Sequence, residues 1–302
     1  MTYQAAVIIA TRNNCDALRL TLESLEATFS NSQYSSIVYV IDNGSSDQTA
    51  TACEESAVQV ERLWIPKPGK SLAYNQSIDC WDADCLLFTD DDVRVKPDWI
   101  DRMAGPILDG TWSAVVGPSR VPDTLRREWM TPLHDSWFMD YSFKQQTESE
   151  GIIGLNFGVD RRFLVEHLRW DEQLGPGALG FCDDSHIGAM IRRAGGRIGV
   201  VQGAEVEHHF DESRLERRYL QDRADRQGLS SGYLGWHLFA REHRLSWLRE
   251  MYFRMRLLGY RMSHAAEARN EEGCSETECK LREKIYYAKQ YRRERRLPRK
   301  YQ

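Results

Sequence analysis

Over residues 1–120 the chain alternates apolar runs of strand length with amphipathic stretches of helical length, and this limits the fold more than any other feature. Residues 5–10, 37–41, 58–64 and 85–89 read as strands. Between them, residues 16–29 carry Leu18, Leu22, Leu25 and Phe29 at helical spacing, and Asp47 opens a short helix. Residues 71–81 form a further helix, as do 97–108 with a proline at the first turn. Runs that are apolar throughout suit strands buried on both faces. The expected fold is therefore α/β: a Rossmann-like, mostly parallel sheet with helices on both faces.

From about 111 to 210 the alternation loosens. Strands are expected near 114–116, 152–159, 198–201 and 206–208, with helices near 161–168 and 185–194. Residues 122–150 are irregular and crowd Trp129, His134, Trp137, Phe138 and Tyr141 together, either lining a pocket or packing a long loop. After Phe210 the chain turns charged and helical, with a Gly/Ser break expected at 228–235, a long helix over 236–267 and a closing one over 276–296. The domain reading is 1–210, divided near 120 where the alternation loosens, followed by a helical extension over 211–302.

Composition sets outer limits. A net charge of -5 and a pI near 6.0 speak against a nucleic-acid binder. No run approaches the roughly 20 apolar residues of a spanning helix, and the N-terminus reads as a strand rather than a signal peptide. A cytoplasmic protein is expected. The seven cysteines include no C-x2-C pair and read as reduced structural thiols. The basic stretch 280–300 is either a solvated helix face or a peripheral contact with the inner membrane face.

Asp90, Asp91 and Asp92 follow directly on the apolar run 85–89, so three carboxylates stand where a buried strand ends. Their repulsion and desolvation are costly unless a cation or hydrogen-bond donors compensate. The carboxyl ends of strands in α/β sheets are where ligands bind. All-oxygen ligands suit Mg2+ or Mn2+ accompanying a phosphate. The first strand likewise ends in Thr11-Arg12-Asn13, and the second in Asp42-Asn43-Gly44, where a carboxylate can accept from a base N–H and a glycine lets backbone approach closely.

The ordered set VIIATRNN, YVIDNGSSD, PGKSLAYNQSI and LLFTDDDVRVKPDWI resembles the nucleotide-binding half of a family 2 glycosyltransferase of the GT-A fold. IGLNFGVDRR (153–162), WDEQLGP (170–176), CDDSHIGAMIRRAGGRI (182–198) and VEHHF (206–210) resemble its second half. The resemblance covers residues 4–210 and implies a nucleotide-binding half over about 1–120 and an acceptor half over about 121–210.

It implies a metal-dependent inverting transfer from a nucleotide-diphosphate sugar, a UDP-sugar, to a hydroxyl of a glycan, lipid-linked, protein or small-molecule acceptor. Thr11, Arg12, Asn13, Asp42, Gly44, Lys70 and Asn75 match the nucleotide-contacting positions. Asp90 matches the ribose or metal-water position and Asp92 the metal ligand, while Asp91 fills the variable place between them. Asp184 matches the catalytic base. Its partner Asp183 stands where the family has glutamate and Cys182 where it has glycine, which leaves open which carboxylate reaches the acceptor. His208, or its neighbour His209, would complete the shell of Mn2+ or Mg2+; imidazole suits Mn2+ better. A non-catalytic binding module and a retaining transferase of the same fold are the alternatives.

Overall fold

The computed structural model describes residues 3–143, 146–243 and 245–301. The chain divides into two compact units. The first comprises the residues up to Arg126, Asp135–Glu172 and Asp183–Phe210; the second comprises Arg127–His134, Gln173–Cys182 and the chain from Asp211 onward.

The strands of the first unit are β1 (Tyr3–Thr11), β2 (Ser36–Asp42), β3 (Val60–Trp64), β4 (Ala83–Asp90), β5 (Val93–Arg94), β6 (Ala114–Val116), β7 (Ser119–Arg120), β8 (Glu148–Ser149), β9 (Asn156–Asp160), β10 (Ile198–Val200) and β11 (Val206–His208). Eight of them form one sheet in the order β3-β2-β1-β4-β9-β6-β10-β8. β3, β2, β1 and β4 run parallel, and β9 is antiparallel to both β4 and β6. A small second sheet has the order β5-β11-β7.

The helices are α1 (Cys15–Asn31), α2 (Thr49–Glu54), α3 (Lys70–Ser77), α4 (Trp99–Leu108), α5 (Pro132–Trp137), α6 (Arg161–His167), α7 (Asp183–Arg193), α8 (Arg217–His237), α9 (Ser246–Ser263) and α10 (Glu276–Glu294). The alternating side chains of the central strands build two cores, one on each face of the large sheet. Ala6 and Ile8 of β1 and Leu86 and Phe88 of β4 meet Tyr74, Leu164 and Ile187 of α3, α6 and α7. Ala5, Val7 and Ile9, with Cys85 and Leu87, meet Leu18 of α1 and Trp99 and Met103 of α4. This is the doubly covered α/β sheet that the apolar runs predict.

Asn156 joins β9 to its surroundings. Fully buried, it accepts from Trp99 Nε1 at 3.0 Å and donates to the carbonyl oxygens of Pro118 (2.8 Å) and Ala204 (2.7 Å). Within the 122–150 segment the aromatics mainly pack. Trp137 and Phe138 are buried, with Phe138 stacked on Phe210 at 4.4 Å, while Trp129 meets His134 edge to face at 5.1 Å.

In the second unit, the break expected at 228–235 is instead part of the C-terminal half of a continuous helix, α8. Gly228, Gly232 and Gly235 form a seam against α10: a Cβ at Gly228 would lie 2.3 Å from the Glu283 carbonyl oxygen, and one at Gly232 2.7 Å from that of Tyr287. The glycines thus serve close helix packing, which outweighs their low helix propensity. The helix expected from 236 also starts later, as α9. Among the described residues, no helix is long and apolar enough to cross a membrane.

Candidate active site

Strand register brings the motif residues to one edge of the sheet. Thr11 pairs with Asp42 across β1 and β2, and Ala10 pairs with Asp90 across β1 and β4. The carboxyl ends of three neighbouring parallel strands therefore carry Thr11, Asp42 and the Asp triplet side by side, the expected placement for a ligand crevice.

The three aspartates have separate partners. Asp90 accepts from Lys70 Nζ at 2.7 Å. Burial works against the Lys70 ammonium, but the charges of Asp90 and Asp183 outweigh it and hold its pKa well above the ordinary value. Asp91 is not the solvated middle member that its variable position suggests. Its Oδ2 accepts from the Thr11 hydroxyl at 2.6 Å and its carbonyl oxygen from Thr21 Oγ1 at 2.7 Å. Burial, reinforced by the charge of Asp92, pushes its carboxyl up to about 7, against the opposing Thr11 hydrogen bond. Asp91 and the buried Thr11 therefore tie the end of β4 to β1.

Asp92 faces the small sheet. His208 pairs with Val93, and its Nε2 lies 3.4 Å from Asp92 Oδ1, with both side chains almost wholly buried. His208 Nδ1 is 2.8 Å from the Phe138 carbonyl oxygen. A carbonyl can only accept, so Nδ1 carries a proton, which leaves Nε2 as the nitrogen turned toward Asp92 and available to a cation in the Nδ1–H tautomer. A backbone carbonyl fixing the far nitrogen is the usual support of a metal-binding imidazole, so a carboxylate and this tautomer together fit a divalent cation. His209 goes elsewhere, its Nε2 2.9 Å from Glu207 Oε2. Asp90 is engaged by Lys70 rather than by this pair. Among the described residues, no group of three or more His, Cys, Asp or Glu side chains forms a ready metal shell.

The β2 end is equally structured. Asp42, buried, is bound by Arg62 Nη1 at 2.7 Å and accepts from the Ser45 amide at 2.9 Å. Gly44 has φ 75, and a Cβ there would meet the Pro66 carbonyl oxygen at 2.9 Å, so no side chain fits. Asn13, at φ 51, accepts from the Ser46 amide at 2.7 Å and so clamps this loop, while Arg12 is exposed. Asn75 lies on α3. It donates to the Trp170 carbonyl oxygen at 2.9 Å and accepts from the Trp170 amide at 3.0 Å, pinning that loop to α3.

Two residues with clear roles at this edge were not singled out by sequence. Arg62 neutralises Asp42 from β3, and Asn43 fixes the 65–69 loop by donating to Lys67 O at 2.7 Å and accepting from the Gly69 amide at 2.7 Å. The asparagine lay within the motif. The arginine gave no signal, because its role depends on β3 pairing beside β2.

α7 begins at the acidic pair. Asp183 lies within electrostatic reach of Lys70 and Asp90. Burial pushes its carboxyl up to about 6; Lys70 opposes the rise and Asp184 adds to it. Asp184 accepts from the Ser185 amide at 2.6 Å and lies beside Gly154. Cys182, where the resembling pattern has glycine, adopts φ 68, which explains the pattern's preference.

The family model described as glycosyl transferase family 2 matches residues 6–168. No curated protein matches the chain. Among solved structures, S. aureus TarS 1–349 is 15% identical with a TM-score of 0.55, over 76% of this chain and 64% of that one. The same TarS segment in complex with UDP-GlcNAc is 15% identical with a TM-score of 0.54, over 76% and 65%. The mannosyltransferase PcManGT from Pyrobaculum calidifontis, in complex with GDP-Man and Mn2+, is 17% identical with a TM-score of 0.54, over 96% of this chain and 70% of that one. These likenesses show the GT-A fold, and the chain spans just under two thirds of the TarS segment. The family match runs unbroken from the first strand through α6, more than half of the sequence, and this chain belongs to glycosyl transferase family 2.

Proposed function

We propose that this protein transfers a sugar from a nucleotide diphosphate, a UDP-sugar, to an acceptor hydroxyl with inversion at the anomeric carbon. The observation that carries this reading is the shared edge of β1, β2 and β4. It sets a buried carboxylate, Asp42, beside a lysine–carboxylate pair, Lys70–Asp90, with Asp183 close by. Asp42 suits a base N–H, and Lys70 suits a phosphate oxygen, its ammonium held charged by two carboxylates. The sugar nucleotides bound by TarS and PcManGT support a donor of this class.

Asp184 would take the proton of the acceptor hydroxyl as that oxygen attacks the anomeric carbon. The bond to the diphosphate breaks, its electron pair leaves with the diphosphate oxygen, and no second protein acid is required. Asp92 and His208 would hold Mn2+ or Mg2+, which would supply positive charge to the leaving diphosphate. Asp183 keeps Lys70 charged and positioned at the same edge. Glycans, lipid-linked sugars, proteins and small metabolites all offer a suitable acceptor hydroxyl.

A thermal-shift panel of sugar nucleotides with Mn2+ tests the reading, since ligand binding to the native state raises the melting temperature by mass action. One UDP-sugar should stand out, and Asp42→Ala should remove its advantage over the GDP-sugars. If no sugar nucleotide shifts the melting temperature, the reading fails.

A further inference from the structure

α9 is an amphipathic helix turned inside out. Ser246, Glu250, Phe253, Leu257 and Tyr260, at three- and four-residue spacing, form its more buried side. That side packs on α10, with Lys284 Nζ over the Phe253 ring and the Tyr260 hydroxyl 2.7 Å from Ser275 Oγ. The opposite side carries Trp247, Met251, Met255, Leu258 and Met262 into solvent, with Met255 66%, Leu258 63% and Met262 74% exposed. A contiguous apolar stripe of this kind marks an interaction surface rather than scattered surface hydrophobics.

The charges around the stripe identify its partner. At 3.6 residues per turn, Arg249 and Arg256 fall along one border and Arg254 and Arg261 along the other. The helix has one acid, Glu250, which is on the inner side and bound by Arg254 (2.9 Å) and Arg292 (2.8 Å). Arg261 on the same border is likewise bound, to Glu278 at 2.7 Å, so the outward surface is apolar along its centre, with Arg249 and Arg256 as the cations of its open border. We propose that this face of α9 docks on an anionic lipid surface, lying in the plane of the headgroups with its apolar stripe at the acyl boundary.

Arginine suits that position, because its stem covers apolar surface while the guanidinium reaches phosphate. Trp247 and Tyr252 have the amphipathic rings favoured at the same depth. A second copy of the chain fits less well, since two-fold pairing through this face would set one arginine border against another. The basic stretch 280–300, the contact suggested by sequence, has several cations bound within the second unit. Arg282 bridges Asp225, Arg292 bridges Glu250, and Arg295 reaches the His243 carbonyl oxygen.

Co-sedimentation of the full chain with vesicles tests this independently of any transfer reaction. Vesicles of phosphatidylglycerol and phosphatidylcholine in equal parts should carry the protein down at low salt, with less bound at high salt and little on phosphatidylcholine alone. Leu258→Asp should weaken binding by at least about tenfold, and Arg249→Glu with Arg256→Glu should abolish the preference for anionic vesicles. Because these side chains are exposed, each variant should keep the wild-type circular dichroism melting curve, which verifies folding. The proposal is overturned if the wild type stays in the supernatant, if Leu258→Asp binds as well as the wild type, or if sedimentation velocity shows a dimer that Leu258→Asp dissolves.

Discussion

The imidazole of His208 faces the carboxylate of Asp92 at 3.4 Å because β11 pairs with β5 one residue beyond the Asp triplet. The Phe138 carbonyl oxygen holds the ring's other nitrogen, so the orientation of Nε2 at this junction is set by backbone rather than by a mobile side chain. A preset ligand nitrogen next to a buried carboxylate loses little freedom on taking a cation.

Asp92→Asn and His208→Gln should each weaken Mn2+ binding by at least about tenfold in the presence of UDP, read by titration calorimetry. Treatment with EDTA should stop transfer, with Mn2+ restoring it better than Mg2+. Unchanged Mn2+ affinity in both variants would remove the metal from this pair.

The two members of the acidic pair should separate in kinetics. Asp184→Asn should lower kcat by ~10²–10⁴-fold while the affinity for the sugar nucleotide stays near that of the wild type. Asp183→Asn should mainly weaken donor binding, because it removes a charge that supports Lys70. If the pattern is reversed, with turnover lost only in Asp183→Asn, the proton goes to Asp183.

Asp183 also predicts how stability changes with pH. Its folded-state carboxyl is raised from 3.8 to about 6, so the folded protein holds the proton more tightly than the unfolded chain. That contribution is full below the unfolded value near 4 and is lost as pH rises through about 6. Asp183→Asn should therefore be more stable than the wild type at about pH 8, by about 1–3 kcal/mol, and nearly equal to it at about pH 4. Urea unfolding of the metal-free protein at the two pH values measures the difference, and equal gaps at both would contradict it.

Asn156 should matter through stability. Asn156→Leu would strip partners from the Trp99 indole and from two backbone carbonyl oxygens, all at a fully buried site. A loss of about 3 kcal/mol or more is expected, visible as a lower urea midpoint. A variant as stable as the wild type would show that the network contributes little.

How far the sequence could be read depended on the range of the interaction. The central strands and the helices α1, α3 and α4 were legible because period and apolar content act over a few residues. The Gly228–Gly235 stretch was misread for the same reason: locally, glycine and serine signal a break, and only α10 packed against them makes a seam. Thr11, Asp91 and Asn75 all belong to the sequence motifs, and their hydrogen bonds fasten β4 to β1 and the Trp170 loop to α3. Those partners lie 80 and 95 residues away in the chain, beyond any local pattern.

By itself, the sequence determined the α/β class, the order of the motifs and the chemical types gathered at the sheet edge, because these follow from burial, period and the cost of massed carboxylates. Tertiary structure decided the pairings: Lys70 on Asp90, Thr11 on Asp91, His208 rather than His209 on Asp92, and Arg62 on Asp42. Adjacent residues on a strand point to opposite faces, so residue type alone cannot say which histidine meets the carboxylate. Strand pairing fixes that choice, and pairing is a property of the assembled sheet.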